Sequence, residues 1–124
     1  MSTIKTETLS TPSNATVPVD TVVNGTAKAW VNFNGTGTVA IRRAFNVSSI
    51  TDGGTGDYTV TFTNAMPDAN YSICGQASLG ANGTDPRIFG AAGSDPTASL
   101  FEVATTKNDG IQEDCHYVCV TIFS

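Results

Sequence analysis

Charge is what this sequence has least of. Only 14% of its 124 residues are Asp, Glu, Lys or Arg, and 6 cations stand against 11 acids for a net charge of −5. The cations Lys5, Lys28, Arg42, Arg43, Arg87 and Lys107 are almost all isolated. A nucleic-acid surface needs clustered cations to displace phosphate counterions, so no nucleic-acid partner is expected. An anionic membrane surface is disfavoured on the same ground. Long apolar runs are also missing. Nothing approaches the length of a membrane span, and Met1 to Pro18 contains no stretch of signal-peptide type. The expectation is a protein made in a cytoplasm and left there, or assembled there into something larger. Its 3 cysteines are then expected as reduced thiols. Leu, Glu and Lys are scarce, which argues against long amphipathic helices.

Uncharged polarity takes the place of charge. Thr, Ser, Asn and Gly recur throughout, while 40% of the residues are hydrophobic, too many for a disordered tail. A chain of this length supports one core. Residues 1–16 are rich in Thr and Ser, with only Ile4 and Leu9 as anchors, and read as an N-terminal arm or short stalk. Residues 17–124 read as one domain. Val17 to Val23 is extended by composition, with Pro18 at a strand start or edge. Ala27, Ala29, Val31 and Phe33 then alternate with Lys28, Trp30 and Asn32, and Asn34-Gly35 offers the positive-φ residues of a tight hairpin. Thr36 to Ile41 resumes as strand, followed by Phe45, Val47 and Ile50. Thr51 to Gly56 reads as a turn, and Asp57 to Thr63 as a strand with Tyr58, Val60 and Phe62 on one face. Tyr71 to Ala77, Arg87 to Phe89, Leu100 to Thr105 and His116 to Phe123 complete the set, with Lys107 to Gly110 as a turn. Short strands at regular spacing, without a convincing helix, predict a single antiparallel β-sandwich of jelly-roll-like type.

The last strand is apolar on both faces. Val118, Val120 and Ile122 lie on one side, and Tyr117, Cys119 and Phe123 on the other. Both faces need a cover, and in a one-core sandwich the simplest second cover is another subunit. Central strands of monomeric sandwiches can show the same pattern. The candidate interface residues are Trp30, Tyr117, Val118, Val120, Ile122 and Phe123. Trp30, opposite the hydrophobic face of its own strand, reads equally as an interface anchor, a sugar-stacking platform or a residue of a second core. The loops 79–86 and 91–98 are long enough to carry recognition, with Asn82, Asp85, Arg87 and Asp95 as candidate contacts.

Catalytic and metal chemistry find little support. In Cys115-His116-x-x-Cys119, strand geometry places both thiols on one face and the histidine on the other, which defeats a zinc site. The cysteines, Cys74 included, read as small core hydrophobes, with a Cys74 bridge to the last strand open if the protein meets oxidants. His116 is the single histidine and has no evident nucleophile or orienting acid. Asp52, Asp57, Asp68, Asp85, Asp95 and Asp109 sit in turns, and Glu102 is a lone strand acid, so no pair for glycoside hydrolysis emerges. Asp52 to Asp57 is too short for a calcium loop and precedes no helix that would cradle phosphate. The sequons at Asn14, Asn24, Asn34, Asn46, Asn70 and Asn82 read as compositional. No enzyme activity, cofactor or metal is expected.

Residues 27–71, AKAWVNFNGTGTVAIRRAFNVSSITDGGTGDYTVTFTNAMPDANY, resemble a block of small virion proteins and tail-fibre ends of tailed bacteriophages, especially phages of aquatic bacteria and cyanobacteria. Val17 to Gly25 and, more loosely, Val118 to Phe123 share the likeness. The resemblance implies a non-enzymatic, homotrimeric β-domain of the virion, assembled in the host cytoplasm, used as a fibre tip that contacts a host surface glycan or protein. The alternative is a capsid decoration protein whose residues 1–16 lie along the shell. A glycan-degrading enzyme is a remote third reading. The implied partners are further copies of the chain and other virion proteins. The resemblance contributes no catalytic residue.

Overall fold

Strands dominate the computed structural model, which describes residues 2–80 and 85–124. Thr8–Ser10 (β1) and Thr16–Pro18 (β2) pair as a small antiparallel hairpin, and Val19–Gly25 follows as a short helix, α1. The main sheet comprises Ala29–Asn34 (β3), Ala40–Phe45 (β4), Val47–Gly54 (β5), Asp57–Phe62 (β6), Ser72–Ser78 (β7), Pro86–Ala91 (β8), Leu100–Thr106 (β9) and Tyr117–Phe123 (β10). Their order is β4-β3-β10-β7-β8-β9-β6-β5, every pairing antiparallel. The sheet folds over on itself until its edge strands β4 and β5 come into contact, so it is sandwich-like and nearly closes into a barrel.

Period-2 alternation sets which residues go inside. β3 contributes Ala29, Val31 and Phe33, β6 contributes Tyr58, Val60 and Phe62, β9 contributes Phe101 and Val103, and β10 contributes Val118, Val120 and Ile122. All are buried. Between the two halves of the sheet the Phe33 and Tyr58 rings pack edge-to-face, 5.2 Å apart. At the other end Phe62, Tyr71 and Phe101 form an aromatic cluster with centroids 5.5–6.0 Å apart. At roughly 2 kcal/mol per buried large side chain, this core dominates the stability.

The expected all-β sandwich is what forms, with local departures. Val17 to Val23 is not a strand throughout: it leaves β2 at Pro18 and turns into α1. The expected arm of residues 1–16 contains β1, whose partner β2 crosses the expected boundary at residue 17. Most of the expected turn at Thr51 to Gly56 belongs to β5, and only Thr55-Gly56 turns the chain. After β3 the strand resumes at Ala40 rather than Thr36, and the positive φ falls on Gly37, at 61°, rather than on Asn34 or Gly35. Gly35 is needed for another reason. Its N–H donates to the Cys115 carbonyl at 2.9 Å, and a Cβ there would collide with the Tyr58 hydroxyl. No helix among the described residues is long and apolar enough to cross a membrane.

Candidate interaction surface

The side of β4-β3-β10-β7 that faces away from the core is built by the residues between the core positions. Register places Phe45, Trp30, Thr121 and Cys74 in one row across the four strands, and Arg43, Asn32, Cys119 and Gln76 in the next. Tyr117 and Phe123 share this face at the two ends of β10. Phe45 is 54% exposed, which is costly for an aromatic ring. A β-bulge opposite Asn32-Phe33 inserts Arg42 as an extra residue and turns its side chain onto the face. The Arg42 guanidinium lies 4.2 Å from the centre of the Tyr117 ring and donates to the His116 carbonyl at 2.7 Å and to Asn32 Oδ1 at 3.2 Å. The face is therefore aromatic and basic in a protein that is acidic overall.

Beside it runs a groove. β7 and β8 pair only through Ala77↔Arg87 and Ser78↔Pro86 and then part. The gap opens a cavity of about 480 Å³ lined by Asn32, Gly75, Phe89, Arg87, Tyr117 and Cys119, among others. A second cavity of about 260 Å³ shares Gly75, Gln76 and Cys119 with it and extends to Cys74 and Thr121. Gly75 makes room for the Phe89 ring, which lies 2.5 Å from where a Cβ on Gly75 would stand. Cys74 is exposed and Cys119 half-buried, so the reading of every cysteine as a core residue holds only for Cys115. Cys115 and Cys119 do not share a face, as unbroken strand geometry would have it. Cys115 precedes β10 in an irregular segment and is buried, whereas Cys119 lies on the outer face. Burial pushes both thiols above the ordinary cysteine range.

The segment from Gln112 to His116 straps one end of the sandwich. The Thr105 hydroxyl donates to the Glu113 carbonyl at 2.6 Å, and Asp114 Oδ1 accepts from the Gly56 N–H at 2.7 Å and lies 3.1 Å from the Tyr58 hydroxyl. Burial first, and the Asp114 charge second, raise the Tyr58 pKa far above its ordinary value. Arg87 Nε donates to Glu113 Oε2 at 2.6 Å, and its other nitrogens engage both oxygens of Asp85. Arg87 holds the Glu113 carboxyl below the ordinary glutamate range.

The candidate residues thus separate. Trp30, Tyr117 and Phe123 stand together on the outer face, while Val118, Val120 and Ile122 are consumed by the protomer's own core at 0–2% exposure and have no surface to give a partner. Asp85 and Arg87 are paired with each other, and Asp95 is exposed on its loop. Asn82 lies outside the described residues. Phe45 and Arg42 belong to the outer face and were not among the expected contacts. Phe45 could have been found from its parity with Arg43, but Arg42 could not, because only the bulge brings it round. Among the described residues no three of His, Cys, Asp and Glu converge as metal ligands. The chain matches no protein-family model, no curated protein and no solved structure.

Proposed function

We propose that the chain is a non-enzymatic structural protein of a phage virion, of tail-fibre or fibre-tip type, that works as a homotrimer. The reading is supported by the likeness of residues 27–71 to virion proteins, and the observation that carries the assembly is the outer face on which Phe45 is exposed beside the half-buried rings of Trp30, Tyr117 and Phe123. An aromatic sheet face of this kind is satisfied by protein rather than by water. Copies of the chain and other virion proteins are its partners. The loop at 91–98, with Asp95 exposed, is offered for contact with a host surface glycan or protein.

Two measurements test this. Sedimentation equilibrium of the purified chain is expected to return three times the protomer mass, and a monomer at high micromolar concentration removes the trimer. Immunogold electron microscopy of particles from the producing phage, with an antibody to residues 91–98, is expected to decorate tail or fibre ends. Gold spread over the head makes the protein a capsid decoration instead, and unlabelled particles end the virion reading.

A further inference from the structure

The sheet has a gap in its backbone pairing. β7 is hydrogen-bonded to β10 along its full length, from Ser72 to Ser78, yet on its other side only Ala77 and Ser78 have partners in β8. Among the described residues, Ser72 to Gln76 therefore have no strand partner on that side, an open edge in the interior of the sheet order flanked by the groove over Phe89, Tyr117 and Cys119. Unpaired edges are templates for another strand, and folded proteins normally cover or blunt them. This one carries no Lys, Pro or acid to blunt it.

The same chain carries a segment suited to it. Residues 2–6 are exposed and belong to no regular element; the Thr6 hydroxyl donates to the Thr8 carbonyl, and the first backbone tie is at Glu7, whose carbonyl accepts from the Val19 N–H at 2.9 Å. Ile4 is 90% exposed, the most exposed large hydrophobic residue among those described. Its neighbours are Thr3, Lys5 and Thr6, and Thr is a good strand former. Fully extended, five residues reach about 17 Å, and the five residues from Ser72 to Gln76 span about 16 Å, so the lengths match.

We propose that residues 2–6 of one copy add as a strand to the free β7 edge of a neighbouring copy, with Ile4 entering the groove beside Phe89. Strand addition supplies main-chain hydrogen bonds for affinity and a side-chain pocket for register. The exchange joins two different patches, arm and edge, and is therefore heterologous, which is the only kind of contact that closes a three-membered ring. The inference rests on the homotrimeric reading above and gives it a mechanism: each protomer donates one arm and receives one.

Cys74 sits within the free edge as an exposed thiol and serves as the reporter. Thr3→Cys, Ile4→Cys and Lys5→Cys, made singly in the full chain, cover both strand parities at exposed positions where folding is not at stake. Mild oxidation is expected to link at least one of them to Cys74 between copies, giving covalent oligomers on non-reducing gels that disappear when Cys74→Ser is added. In parallel, Ile4→Asp is expected to raise the protein concentration for half-assembly at least tenfold while leaving the thermal midpoint of the dissociated protomer, measured at concentrations where neither protein assembles, unchanged. A link formed within one chain overturns the exchange between copies, and no link from any of the three variants overturns the docking altogether. Because the wild-type mass is measured separately, a trimer that assembles without these links leaves the trimeric reading standing and removes only the arm.

Discussion

Gly37 and Gly56 show at the scale of single residues why position outweighs composition. Both have positive φ, 61° and 66°, but the space around Gly37 is open, whereas a Cβ on Gly56 would sit 2.5 Å from the Thr105 carbonyl oxygen. Gly37→Ala is expected to cost about 1 kcal/mol, the left-handed penalty alone. Gly56→Ala adds an overpacking cost of about 1–3 kcal/mol, read as the difference in urea midpoints. The cysteines separate in the same way. Cys74 is expected to react with a thiol reagent at once near neutral pH, Cys119 more slowly, and Cys115 only when the protein unfolds. Three equal rates would mean that the burial described here is not that of the protein in solution. The strap has its own pH signature. Arg87 holds the Glu113 carboxyl below its ordinary value of 4.5, so the folded state gains stability from this group above that pH and loses it as pH falls through the lower, folded value. Glu113→Gln is expected to lower stability at neutral pH, with the deficit shrinking as pH falls below 4.5, so that the acid limb of stability against pH is flattened.

At the scale of elements, the corner between β4 and β5 carries the near-closure of the sheet. Asn46 has φ 54°, and its amide donates to the Lys28 and Asn64 carbonyls, both at 3.1 Å, while its Oδ1 accepts from the Asn64 N–H at 2.8 Å. Those bonds tie β3, β4 and the end of β6 at one point. Asn46→Gly keeps the backbone freedom and loses the bonds; Asn46→Ala loses both and is expected to be the less stable of the two by about 1 kcal/mol in thermal or urea unfolding. Which elements were legible follows from how local their causes are. β6 and β10 read correctly because alternation is a property of neighbours. α1 did not, because Val, Asp, Thr and Asn are poor helix formers and none of its residues is buried. Its signal was the spacing of Val19, Val22 and Val23, overruled by β-branching and Pro18. The glycines of Thr51 to Gly56 suggested a turn, yet β5 carries Gly53 and Gly54 as an edge strand, where chain-entropy cost is offset by pairing with β6 on one side.

The whole molecule depends on contacts that no local pattern announces. β10 closes the chain in sequence but lies between β3 and β7, and a strand order of this kind follows from which distant faces match. The sequence could therefore reveal a strand apolar on both sides without saying which side the protomer keeps. The answer is that Val118, Val120 and Ile122 are internal, and that Tyr117 and Phe123 remain outside with Trp30 and Phe45. This division makes assembly testable without endangering the fold. Phe45 is more than half exposed, so Phe45→Lys removes interface area at little cost to the protomer, whereas Trp30 is half-buried on the same face and Trp30→Ala also removes packing within the protomer. Phe45→Lys also adds a cation to a face that already carries Arg42 and Arg43, which sharpens repulsion between that face and any similarly basic neighbour. The double variant is expected to keep the β-sheet circular dichroism and sediment as a monomer at concentrations where the parent chain is a trimer. If the variant remains trimeric, this face is not the contact. If it unfolds, Trp30 belongs to the protomer's own stability, and the aromatic face is a second small core rather than a surface for partners.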